Sequence, residues 1–295
     1  RELAELRPSA LPRGVLGPFD RLLFGLGTRL GRVLPSIVVP AARRRLRGLV
    51  GHLVADLDRL GPHLARAQAD GYRLNLNLLG EAVLGEAEAT ARLMRIQTLA
   101  ARRDVDNVSV KVSALASQLS PWDTSAVERL LLRLRLLARS VAWDGTVLTL
   151  DMEEYRDLDL TLQVFTALLD EPELAQAELG IAVQAYLPDA AAVLDTVTEH
   201  ALRRVESGGV AAKVRLVKGA NLPMERVEAE LHGWPQAPYP TKQEVDANFV
   251  RLLDRALTPD RARAVRVGVA SHNLFHVALA HVIATDRGLT DALDI

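Results

Sequence analysis

From residue 72 onward the chain alternates short apolar runs with longer stretches in which apolar residues recur every three or four positions. The runs are "YRLNLNLLG" (72–80), "NVSVKVSAL" (107–115), "TVLTLDMEE" (146–154), "LGIAVQAYL" (179–187), "AAKVRLVKGA" (211–220) and "RVGVASHN" (266–273). Their length and β-branched content predict strands. The stretches between them, such as "EAEATARLMRIQTLAARR" and "SAVERLLLRLRLLARSVA", predict amphipathic helices. Six such β-α units in succession predict a parallel sheet with crossover helices. Before the last run the pattern stretches, and "PMERVEAELHGWPQAPYPTKQEVDANFVRLLDRAL" (223–257) sets a Pro-rich loop between two helices.

Residues 1–71 have a different texture. "GPFDRLLFGLGTRLGRVL" (17–34) and "AARRRLRGLVGHLVADLDRLGPHLARAQADG" (41–71) predict helices divided by Pro35 and Pro40. This segment is expected to be a helical arm ahead of a barrel-like domain over 72–295. The cluster Arg43, Arg44, Arg45 and Arg47 is expected to be a solvated basic face rather than a membrane contact.

Two architectures accept the β-α series, a doubly wound open sheet and a (βα)8 barrel. The first strand-helix turn, "LLGEAVLGEAE", lacks the spacing of a dinucleotide fingerprint, and no Walker-type loop occurs, which favours the barrel. Only six strands are legible, so two further β-α units are expected beyond Ile295. Residues 1–295 alone are expected to form an unclosed, inactive sheet.

Composition narrows the function. The 36 Lys and Arg nearly balance the 37 Asp and Glu, which provides no field for nucleic acid. There is no cysteine, hence no disulfide, thiolate site or cysteine nucleophile, in keeping with a reducing cytoplasm. Arginines interrupt every long apolar stretch before a membrane span could form.

Alternation places one polar residue near the C-terminal end of each strand: Glu81, Lys111, Asp151, Gln184, Arg215 and His272. In a barrel those ends converge on one ligand. Each has a plainer reading. Lys111 could pair with Asp151 on the neighbouring strand, and Gln184 could satisfy a backbone group. Arg215 is the sharpest candidate, because a guanidinium inside a barrel calls for an acidic partner or an anionic ligand. Lys218 and Gly219 follow at the strand exit. A metal pair at His272 and His276 is disfavoured, since His272 is expected to end a strand and no third ligand stands at a useful spacing. A cluster of cations, an amide, an acid and a histidine suits a large anionic cofactor with a small carboxylate, as in flavin redox chemistry. A Schiff-base aldolase using Lys111 or Lys218 is the alternative enzyme, and a non-catalytic binding module the alternative of another class.

"LLGEA" (78–82), "VSVKVSAL" (108–115), "LDMEE" (150–154), "VQAYL" (183–187), "RLVKGA" (215–220) and "ASHN" (270–273) resemble the proline dehydrogenase family, and most of all the barrel of the bacterial bifunctional proline-utilisation flavoenzymes. The resemblance implies FAD on a distorted (βα)8 barrel. It also implies oxidation of L-proline to 1-pyrroline-5-carboxylate by hydride transfer to flavin N5, with electrons passed to a membrane quinone. It places Arg215 by N5, Gln184 at the polar edge of the ring, and Lys218, Gly219, His272 and Asn273 around the FAD. Lys111 would meet the proline carboxylate, with Asp151 in the surrounding polar network. A cytoplasmic protein meeting the inner face of the membrane, with an aldehyde dehydrogenase domain further along its parent chain, is implied as well. Two departures stand out. Asn221, Leu222 and Pro223 occupy positions where the family often carries aromatics, and the family's arginine-bearing last helix has no counterpart before Ile295.

Overall fold

The computed structural model describes residues 25, 34–51, 54–55, 57–78, 80, 83–119, 123, 125–142 and 145–295. Glu81 and the helix expected over 17–34 lie outside these, except for Gly25 and Leu34. Two compact units are distinguished, Arg1–Arg66 and Ala67–Ile295.

In the first unit, helix α1 (Pro35–Val50) begins with a proline at a position whose N–H has no helical partner to lose. It continues through Pro40, so this proline does not divide two helices as the sequence suggests. Helix α2 follows at Leu60–Ala69.

The second unit is built on a seven-stranded sheet in which every strand is parallel to its neighbours and the spatial order equals the chain order. The strands are β1 (Asn75–Asn77), β2 (Asn107–Lys111), β3 (Val147–Asp151), β4 (Leu179–Gln184), β5 (Ala212–Val217), β6 (Val265–Ala270) and β7 (Leu293–Asp294). The six legible runs each contain a strand. The seventh is two residues long, too short to carry a period. Crossover helices α3 (Glu86–Ala100), α4 (Val112–Leu115), α5 (Ala126–Val141), α6 (Leu158–Leu169), α7 (Ala190–Glu206), α8 (Leu222–His232), α9 (Lys242–Ala256), α10 (Pro259–Ala262) and α11 (Leu274–Asp286) complete the β-α series. The loop between α8 and α9 is the Pro-rich insertion expected there.

One face of the sheet carries Val108, Val110, Leu148, Leu150, Ile181, Val183, Val214, Leu216 and Val267, all at most 2% exposed, and these pack under the helices. The other face is polar. Arg215 on β5 donates to Ser109 on β2, three strands away. Along a flat sheet three strand spacings are about 14 Å, farther than these two side chains can bridge, so the sheet is curled. Its edges approach one another, because Arg73, just before β1, lies 4.0 Å from Asp294 on β7. Asp294 also pairs with Lys213 of β5. This curled sheet of parallel strands, with helices outside and side chains converging inside, is an incompletely closed (βα)8-type barrel.

Candidate active site

Lys111, Asp151, Gln184 and Arg215 all lie on the inner face. The register pairs Lys111 with Asp151, and Arg215 with Ala182 and Gly268. Strand alternation brings them there: Ser109 and Lys111 share a side of β2, while Val108 and Val110 point outward. Alternation along this run would put Ser113 on that side as well, but β2 ends at Lys111 and the chain turns at once into α4.

Arg215 forms an ion pair with Asp151 and donates to Ser109 at 3.1 Å, and Ser109 is held in turn by Asn75 at 2.8 Å. The two charged side chains are only 23% and 13% exposed. Burial pushes the Asp151 carboxyl up, and the neighbouring Arg215 pulls back only part of that rise. Lys111 pairs with Glu153 rather than with Asp151, its register partner. Two cations and two carboxylates thus form one quartet, and Asp151 feels the charges of Lys111 and Glu153 as well as that of Arg215.

The exit of β3 is pinned by amides. Gln184 donates to the Met152 carbonyl at 2.6 Å, and Asn221 donates to the Glu153 carbonyl at 2.8 Å. Gln184 is 6% exposed, and its side-chain oxygen is buried without a hydrogen-bond partner among the described residues. Such an acceptor costs free energy unless a ligand donor meets it.

At the exit of β5, Gly219 adopts φ +111°, and a Cβ there would lie 2.4 Å from the Tyr186 ring. Lys218 accepts from the Tyr186 N–H through its carbonyl at 2.8 Å. Its ammonium pairs with Asp246 and stands 5.7 Å from the centre of the Phe249 ring. Asp246 lies in the first turns of α9, whose start is fixed by a reciprocal capping box between Thr241 and Glu244. Burial pushes Asp246 up, but hydrogen bonds from Lys218 and Lys242 outweigh it and hold the carboxyl below its usual range. His276 stacks on Phe249 with a buried, unpartnered Nδ1, and burial followed by Lys218 lowers its pKa.

His272 departs from the expected position. Strand β6 ends at Ala270, and His272 is exposed in the following loop, with no hydrogen bond or ion pair to the described residues. It precedes α11, so it does not share a helical face with His276. Asn273 caps α11 by accepting from the Phe275 N–H at 3.0 Å. Both lysines put forward as Schiff-base formers contact carboxylates, Lys111 that of Glu153 and Lys218 that of Asp246.

Sequence reasoning missed Glu153, Asn221 and Asp246. Glu153 stands two residues after Asp151, so extending the alternation one step past the strand would have found it. The other two are brought in by segments distant in sequence, and no local pattern announces them.

The sequence model described as Proline dehydrogenase matches residues 61–293. The chain belongs to the proline dehydrogenase family. It is 27% identical over 278 residues to the bifunctional protein PutA of Salmonella typhimurium, covering 88% of this chain and 21% of that protein. It is 26% identical over 216 residues to the proline dehydrogenase of Deinococcus radiodurans, covering 72% of this chain and 62% of the relative. Among solved structures, proline utilization A from Corynebacterium freiburgense superposes with a TM-score of 0.81 at 44% identity, over 96% of this chain and 29% of that one. The Bdellovibrio bacteriovorus protein inactivated by N-propargylglycine gives a TM-score of 0.78 at 31% identity, over 92% and 32%. The chain therefore spans about a fifth to a third of the length of its PutA relatives. Within the family's barrel, the quartet of Lys111, Asp151, Glu153 and Arg215 stands where the sheet's C-terminal strand ends converge.

Proposed function

We propose that this chain oxidises L-proline to 1-pyrroline-5-carboxylate as part of an FAD-dependent, quinone-linked proline dehydrogenase. The observation that carries the reading is the inner-face cluster. A charge quartet gathers at the ends of β2 and β3, and Gln184, which holds the Met152 carbonyl between Asp151 and Glu153, keeps a buried side-chain oxygen without a partner among the described residues. That orphaned acceptor fits the polar edge of a flavin ring, and the cations at the ends of β2 and β5 fit an anionic cofactor and substrate. A bound FAD would supply the hydride acceptor for the carbon-nitrogen oxidation.

The chain's own residues divide the remaining tasks. Gln184, Arg215 and Lys218 would hold the cofactor, with Asp246 fixing Lys218 in place. The turn at Gly219 lets the backbone pass close to Tyr186. Lys111 would take the substrate carboxylate, and Asp151, kept close to Arg215, would complete the polar surround. His272 and Asn273 belong to the loop after β6, where His272 would reach an outer part of the cofactor. No helix among the described residues is long and apolar enough to cross a membrane. A cytoplasmic protein meeting the inner membrane face to hand electrons to a quinone, with an aldehyde dehydrogenase domain in the parent chain, completes the proposal.

The test is the absorbance spectrum of the parent protein that carries this chain, after FAD loading and gel filtration, followed anaerobically on addition of L-proline. A flavin spectrum bleached by L-proline and not by D-proline is expected. A protein that emerges colourless, or a spectrum that L-proline leaves unchanged, rejects the reading.

A further inference from the structure

Within the quartet the two ion pairs differ. The cations are equally exposed, Arg215 at 23% and Lys111 at 22%, but the acids are not: Asp151 is 13% exposed, and Glu153, at 37%, is the one open to solvent and free to leave. Two cations and two carboxylates sum to zero, so an arriving carboxylate finds no net positive charge unless one acid withdraws. The backbone beside Glu153 cannot easily follow, because Gln184 holds the Met152 carbonyl and Asn221 holds the Glu153 carbonyl. The Glu153 side chain is free of those clamps. Its release from Lys111 needs only a rotamer change, with no loop movement.

Resting on the reading that Lys111 receives the substrate carboxylate, we propose that Glu153 is a positioning residue that occupies Lys111 in the empty site and is displaced by the incoming carboxylate. The chain so carries an internal competitor for its own substrate. Glu153 holds the ammonium at the mouth of the barrel and raises the substrate concentration needed to claim it. Its role is to set access to Lys111, so its removal should act on KM more than on kcat.

The probe is acetate, the simplest carboxylate, titrated by calorimetry into the flavin-loaded protein. It is paired with KM and kcat for L-proline. Replacing Glu153→Gln should tighten acetate binding about two- to fivefold, the range of a partly exposed ion pair, and lower KM by a similar factor, more than it changes kcat. In a Lys111→Met background acetate should bind weakly, and adding Glu153→Gln should change nothing. Glu153→Ala serves if the glutamine variant does not fold. Acetate binding that stays the same or weakens in the Glu153 variants overturns the proposal, and so does a gain that persists without Lys111. Failure of both variants to fold would show a purely structural pair and overturn it equally. Calorimetry needs no turnover. A protein that binds acetate as described yet is not reduced by L-proline would reject the proposed function and leave this competition standing.

Discussion

Arg215 on β5 and Asp151 on β3 meet across the inside of the curled sheet, two strands apart, and form an ion pair that is more buried than exposed. The pair answers what an arginine does inside the barrel: it has an acidic partner already. An ion pair of this kind is weak evidence for stability, because desolvation offsets much of the attraction, but breaking it leaves a buried charge behind.

Arg215→Met should therefore lower kcat for proline on the order of 10²–10³-fold, the usual loss for one preorganised electrostatic donor. It should also destabilise the fold by about 1–3 kcal/mol by orphaning Asp151. Adding Asp151→Asn should restore much of the stability and none of the turnover. Urea unfolding and initial rates, measured on the single and double variants, separate the two effects. If the single variant retains turnover within twofold, Arg215 is structural.

The pH dependence of this pair has a definite sign. Burial raises the folded Asp151 carboxyl above its ordinary value, so the folded state binds the proton more tightly than the unfolded chain does. Its ionised form costs stability at neutral pH, and that cost disappears as pH falls through the raised value. In Arg215→Met the rise should be larger, since the guanidinium that opposes it is gone. Stability of the variant should recover toward that of the parent on mild acidification. A gap that widens instead would contradict the assignment.

Glu86 behaves in the opposite way. Hydrogen bonds from Ser117 and then Arg133 hold its carboxyl at about 2 against an ordinary value of 4.5. Its contribution is present above the ordinary value and lost as pH falls toward 2. The Glu86 side chain is half exposed, so the contribution is about 0.2–1 kcal/mol. Glu86→Gln should flatten the acid limb of the stability curve between those two values and leave its neutral part nearly unchanged. An acid limb identical to that of the parent would show that the contact is not kept in solution.

Gly219→Ala should be poorly tolerated. The residue sits at φ +111°, and its new methyl would fall 2.4 Å from the ring of Tyr186, itself 2% exposed in a packed cluster with Met152 and Leu187. Backbone strain alone costs on the order of 1–2 kcal/mol, and displacing the ring adds to it. The thermal midpoint should fall, and flavin content should fall with it as the β5 exit shifts. Full flavin content together with an unchanged midpoint would contradict this account.

Arg204 tests the barrel's opposite end, away from the chemistry. Its guanidinium is 5% exposed and donates to the carbonyls of Val210, Leu174, Ala175 and Ala177. Leu174 and Ala175 keep backbone donors on their carbonyls, so Arg204→Met should cost about 2 kcal/mol or more by leaving the Val210 and Ala177 carbonyls unpaired, while flavin-dependent turnover per folded molecule stays within about twofold. A large loss of turnover without a shift in the urea midpoint would contradict the separation.

The alternating pattern by itself determined six strands, their parallel order, the inward side of Lys111, Asp151, Gln184 and Arg215, and the two helices around the Pro-rich insertion. Period-two and period-3.6 patterns are local and survive without knowledge of partners. Tertiary structure alone decided which acid meets which cation. Lys111 took Glu153 in place of its register partner Asp151, Arg215 took Asp151, and Lys218 took an aspartate twenty-eight residues further along the chain. It also decided that His272 falls past its strand and that two residues near the end of the chain pair as β7. Sheet curl and charge pairing depend on distances between segments remote in sequence, and a pattern read along the chain carries no such distance.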